Sequence, residues 1–105
     1  VSADAAAALG TMLVLSDDDV RKHAVAWQIV EANKNAFVML AQGKANVPKR
    51  LIMSFENAPD DASLFKPCSL DTGEFGLKMI HSRPGNAALG ESTTPGTIML
   101  FDRET

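Results

Sequence analysis

At Pro48 the apolar residues of this chain change their period, and that change limits the folds open to it. Before it, Ala26, Ile29, Val30, Ala36, Phe37, Leu40 and Ala41 recur at three-to-four spacing between Ala26 and Gln42, which is the stripe of an amphipathic helix. Gly43 then supplies a left-handed cap to end it. Beyond Pro48 the runs Arg50 to Phe55, Leu64 to Cys68, Phe75 to Ser82 and Thr97 to Phe101 have the length and composition of strands. Turns fall between them at Asn57 to Asp61 with Pro59, at Asp71-Thr72-Gly73 and at Arg83-Pro84-Gly85-Asn86, followed by a longer loop from Ala87 to Gly96. Helices first and strands afterwards predict an α+β fold, with N-terminal helices packed on one face of a mostly antiparallel or mixed sheet.

An earlier apolar run, Met12 to Leu15, reads as a strand. Ser16 follows it and precedes Asp17, Asp18 and Asp19, so a capping hydroxyl and three carboxylates stand where a helix begins. Adjacent side chains on a helix point in different directions, which favours dipole partners over a divalent cation site for these three acids. Residues 1–11 are Ala-rich, contain Asp4 and have no basic segment. They read as a leader rather than a secretion signal, with Met12 a candidate natural start.

Size and charge narrow the partners. A chain of 105 residues is one domain, here read as residues 12–105, whose modest core a dimer partner or second domain would augment. Ten basic and 13 acidic residues, without a Lys/Arg run, argue against a nucleic-acid surface. No stretch approaches the roughly 20 apolar residues of a membrane span. Cys68 has no second cysteine to pair with, which fits a reducing, cytoplasmic setting.

Strand alternation locates the candidate chemistry. It sets Leu51, Met53 and Phe55 on a core face, and likewise Phe75, Leu77, Met79 and His81, with Arg50 and Lys78 on the opposite face. A lysine inside an apolar strand is either solvated or paired with an anion. Arg50 and Lys78 together can form an anion site, the guanidinium gripping a carboxylate with two bonds and the ammonium adding a point charge. Lys66, between Leu64 and Cys68 in the alternation, is solvated or joins that cluster. Loop 90–96 lacks the pattern of a phosphate loop. His23 and His81 have no metal-ligand spacing, Cys68 has no identified base, and no metal site or Ser-His-Asp arrangement is proposed.

In order, Met12-Leu13-Val14-Leu15-Ser16, Val47-Pro48-Lys49-Arg50, Phe75-Gly76-Leu77-Lys78-Met79-Ile80, Pro84-Gly85-Asn86 and Ile98-Met99-Leu100-Phe101-Asp102 resemble the ornithine cyclodeaminase and mu-crystallin family from Met12 to Thr105. The resemblance implies the N-terminal substrate-binding and dimerisation domain of a homodimer, without the Rossmann domain that binds NAD or NADP in the family. The chain itself has no Gly-x-Gly-x-x-Gly motif, and alone it is expected neither to bind the cofactor nor to catalyse. The implied reaction of the whole protein is deaminating cyclisation of ornithine to proline, or amino-acid dehydrogenase or ketimine reductase chemistry. The alternative is a non-catalytic binding or dimerisation module resembling mu-crystallin.

By the same resemblance Arg50 and Lys78 hold the carboxylate of an amino acid or imine, Lys78 is the candidate catalytic residue, and Thr93 approaches the nicotinamide. Two departures bear on substrate choice. Glu91-Ser92-Thr93 stands where the family reads Leu-Pro-Thr, and Lys66 occupies a commonly apolar position as a third substrate-binding candidate.

Overall fold

The computed structural model describes residues 12–101, and the expected leader, residues 1–11, lies outside them. The elements run α1 (Asp17–His23), α2 (Ala26–Ala41), β1 (Ala45–Asn46), β2 (Leu51–Phe55), β3 (Ala58–Leu70), β4 (Phe75–Ser82), a 3-10 helix (Pro84–Leu89) and β5 (Gly96–Phe101). The chain is α+β, and every strand pairing among the described residues is antiparallel. It divides into two units between Asn33 and Lys34, inside α2.

In the first unit, Ser16 caps α1 as its sequence predicts. The Ser16 hydroxyl accepts from the Asp19 backbone N–H at 3.1 Å, and the Asp19 carboxylate accepts from the Ser16 backbone N–H at 2.9 Å. This reciprocal pair is a capping box closed by Asp in place of Glu, and it satisfies two of the helix's orphan donors. Hydrogen bonding to Ser16, from its backbone N–H foremost and then from its side chain, holds the Asp19 carboxyl below its ordinary range. The run Met12 to Leu15 is irregular, correcting the expected strand: a strand requires a paired neighbour, and none of the described strands pairs with it.

In the second unit, α2 ends at Gly43 with φ +73. The Gly43 N–H donates to Leu40 O at 3.2 Å and the Lys44 N–H to Met39 O at 2.8 Å. Those two bonds make a Schellman cap, which needs a residue at positive φ where glycine has no Cβ to clash. The chain then enters the sheet, whose order is β1 and β2 on one edge of β3, then β3, β4 and β5. Asp71, Thr72 and Gly73 turn β3 into β4, with Gly73 at φ 107 and the Thr72 hydroxyl donating to the Glu74 carboxylate.

Three expectations for this region are corrected. Asn57 belongs to a turn, but Ala58 to Asp61 extend β3, which reaches 13 residues in place of the expected five. The segment after Arg83 continues as a 3-10 helix to Leu89, ended by Gly90 at φ 71. And no hydrophobic side chain among the described residues is buried: Leu51, Met53 and Phe55 of the expected core face are exposed, as are Ile29, Val30, Phe37 and Leu40 of the helix stripe, Phe37 at 71%. Alternation tells which face is apolar; it does not tell whether anything covers that face.

Candidate functional site

The register of three strands decides where the sequence-derived cations meet. Lys66 of β3 stands directly opposite Lys78 of β4. On the other edge of β3, Leu51 pairs with Phe65 and Ile52 with Leu64; continuing that register one step past the start of β2 sets Arg50 level with Lys66. Directly opposed residues of antiparallel strands project to the same face. Lys66 and Lys78 are therefore directly opposed on one face, about 4.8 Å apart by the spacing of neighbouring strands, and the β2 register carried one step past Leu51 adds Arg50 to their row. Ile98 of β5, opposite Lys78, ends the row.

This alignment depends on an irregularity. Phe55 pairs with Ala58 across the turn at Glu56 and Asn57, yet Ser54 pairs with Ala62, so Pro59, Asp60 and Asp61 are extra residues on β3. An odd number of extra residues exchanges the two faces of one strand relative to the other. Without the bulge, continuing the Phe55 to Ala58 register would set Arg50 opposite Ser63, on the other face. With it, Arg50 joins the lysines.

All three cations are exposed, and among the described residues none pairs with a carboxylate; the ion pair found there joins Arg21 to Asp18 on α1. Like charges directly opposed across a sheet cost stability, and no ion pair among the described residues offsets that cost here. Flanking rows are uncharged. Ile52, Leu64 and Ile80 lie on one side of the cations; Cys68, Gly76 and Leu100 lie on the other. A shallow depression lined in part by Pro48, Cys68 and Gly76 adjoins the row. Gly76 is required there by close approach, since a Cβ at that position would sit 2.9 Å from the Met99 carbonyl oxygen. A small molecule with a carboxylate on the cations and an apolar body against Ile52, Leu64 and Ile80 matches this face.

Thr93 is not part of the row. Its carbonyl accepts from the Arg83 N–H at 2.8 Å, beyond the end of β4 and five residues along from Lys78, roughly 16 Å at strand rise. His81 lies on the opposite, aromatic and methionine-bearing face, where Phe75 and Phe101 stack with ring centroids 4.8 Å apart. There its Nδ1 shares a 2.6 Å hydrogen bond with the Ser63 hydroxyl, and Ser63 is only 2% exposed. Sequence reading missed Ser63, because the signal is a cross-strand pairing and not a spacing. Cys68 is half-buried, with only a long 4.0 Å contact to Ser69 O. No group of three or more His, Cys, Asp or Glu among the described residues could hold a metal, and no helix among them is long and apolar enough to cross a membrane.

No family model matches the chain. Individual proteins do. It is 27% identical over 108 residues to an uncharacterized cyclodeaminase of Dictyostelium discoideum, covering 90% of this chain and 29% of that protein. It is 31% identical over 93 residues to an alanine dehydrogenase of Archaeoglobus fulgidus, covering 89% and 28%. Among solved structures, an archaeal alanine dehydrogenase dimer with bound NAD superposes with a TM-score of 0.79 at 30% identity, over 89% of this chain and 28% of that one. The Δ1-pyrroline-2-carboxylate reductase of Thermococcus litoralis, in complex with NADH and L-proline, gives 0.82 at 30% identity over 90% and 29%. The chain thus spans less than a third of each relative.

Proposed function

We propose that this chain, which resembles the ornithine cyclodeaminase and mu-crystallin family over nine-tenths of its length, forms the carboxylate-holding part of an NAD- or NADP-dependent enzyme acting on an amino acid or cyclic imine. The observation that carries this reading is the row of Arg50, Lys66 and Lys78 without an acidic partner among the described residues. Arg50 grips the substrate carboxylate through two parallel hydrogen bonds, and Lys78 adds its charge from β4. Held this way, the substrate has a fixed orientation, with its Cα or imine carbon set relative to the anchored carboxylate. That fixed geometry is what the chain contributes to catalysis, with Lys78 the catalytic candidate.

The nicotinamide supplies hydride chemistry when bound, but these residues do not fit it. The chain has no glycine-rich dinucleotide loop, and the described sheet has no parallel strand from which a βαβ unit could be built. Cofactor binding on this reading belongs to sequence outside the chain, with Thr93 the residue here that approaches the nicotinamide. Residues 12–105 then form the substrate-binding and dimerisation part, and 1–11 a leader. The exposed apolar residues of both sheet faces, Met99 and Leu100 among them, support a role within a larger assembly, here a homodimer.

Arg50→Met and Lys78→Met in the full-length protein test the reading. Each is expected to lower kcat/KM for the amino acid or imine by about 10- to 100-fold, the worth of a hydrogen bond to a charged group. Unchanged affinity and turnover in both variants would refute it.

A further inference from the structure

We infer that Lys66 recognises a second carboxylate, so that the substrate is a dicarboxylic amino acid or the corresponding imine. The inference rests on the reading above and goes beyond it in substrate class. One carboxylate is fully served by Arg50 and one lysine, and a zwitterionic amino acid with a neutral side chain brings no net negative charge to three cations. The strand positions sharing this face, from Ile52 to Leu100, carry no acid that could offset the third. Lys66 is also not interchangeable with a solvated surface lysine. It occupies the middle of the row, with a cation level with it on either side, which is the costliest place for an unneeded charge.

Spacing agrees with charge. Two carboxylates joined through two or three carbons stand about one strand spacing apart, and neighbouring members of the row are separated by that same ~4.8 Å. With Arg50 and Lys78 serving the first carboxylate, the second falls to the Lys66 ammonium. Gly76 and Cys68, two residues along from Lys78 and Lys66, place no bulky side chain beside it.

The test is titration of the full-length protein, with NADH present, by L-glutamate and by L-glutamine, which differ in charge but hardly in shape. L-glutamate is expected to bind about tenfold more tightly, and Lys66→Gln to abolish that preference, with the loss of affinity falling mainly on L-glutamate. Lys66→Arg should keep the preference. Because Lys66 is exposed, the Gln variant should fold, which an unchanged amide NMR spectrum outside the row verifies. Equal affinity for the two ligands in the wild type, or a preference that survives Lys66→Gln, overturns the inference and leaves the carboxylate reading intact. O-phospho-L-serine binding more tightly than L-glutamate in a Lys66-dependent way overturns the second carboxylate in favour of a phosphate. Failure of the underlying reading is read separately, from binding of both amino acids that Arg50→Met leaves unaltered.

Discussion

Charge at position 66 should destabilise the free protein, by an amount that follows from the sheet register. Opposed Cβ atoms in antiparallel strands lie about 4.5 to 5.5 Å apart, and flexible lysines splay further. Taking ~6 Å between charges in water gives about 0.7 kcal/mol of repulsion for each pair. Lys66 faces one cation on each side, so two such terms act on it, and measured cross-strand pairs of about 0.2 to 1 kcal/mol bracket each of them. Lys66→Gln is therefore expected to stabilise the protein by about 0.5 to 1 kcal/mol at low salt, and Lys66→Glu by about twice that because repulsion becomes attraction. The assay is urea denaturation at 20 mM and 1 M NaCl. The screening length falls to about 3 Å at 1 M, so the three midpoints should converge there. A Lys66→Gln/Lys78→Gln double variant should gain less than the sum of its singles, since both remove the same repulsion. If Gln and Glu leave the low-salt midpoint unmoved, or if their gain persists at 1 M, the cations do not share a row. Stability bought at position 66 would come at the expense of the ligand, as expected of a charge retained for binding.

Gly76→Ala should cost about 1 to 3 kcal/mol, because its Cβ would press on the Met99 carbonyl oxygen at 2.9 Å and force β5 outward; hydrogen exchange should rise first at Gly96–Phe101, and unchanged protection there would refute the close approach. Ser63→Ala should cost about 1 kcal/mol by removing the bond to His81, and a denaturation midpoint equal to the wild type would mean that bond contributes nothing. Asp19 titrates below its ordinary range when folded, so its contribution to α1 is complete above that range and is lost as pH falls through it toward the depressed folded value. Backbone chemical shifts over Asp17–His23 should therefore stay helical from neutral pH to about pH 4 and weaken below it; Asp19→Asn should be less helical already at neutral pH and lack this acid step.

Much of the local structure was legible because it is decided by adjacent residues. Ser16 with Asp19 fixes the start of α1, Gly43 fixes the end of α2, and Phe75 to Ser82 alternates strictly enough that β4 has its expected bounds. Features that depend on partners were not legible. Met12 to Leu15 has strand composition without a strand to pair with. Residues 58–61 look like a turn because Pro59 and two aspartates are poor strand formers, yet the chain there remains paired to β2 at Ala58 and β4 at Ala62. Pro67 lies in a strand that has neighbours on both edges, which composition alone argues against. It is tolerated because residues 66–68 of β3 pair with neither β1 nor β2, leaving that edge open.

The candidate site was legible to the same limit. Alternation within single strands assigns Arg50 and Lys78 to a face, but each strand's face is defined only relative to itself. Bringing the two faces together needs the register of β2 on β3 and of β3 on β4, and the first of these is set by the bulge at Pro59, Asp60 and Asp61. The two-residue turn at Glu56 and Asn57 alone would direct Arg50 toward Ser63 and away from the lysines. Bulges that re-aim a side chain beside a binding site are a recurrent use of the extra residue. Pro59 suits this one because it has no N–H to lose from the ladder. The segment that composition marks as a break in the sheet is thus what turns the arginine to the lysines' face, and the joint action proposed for the three cations depends on a register no single strand contains.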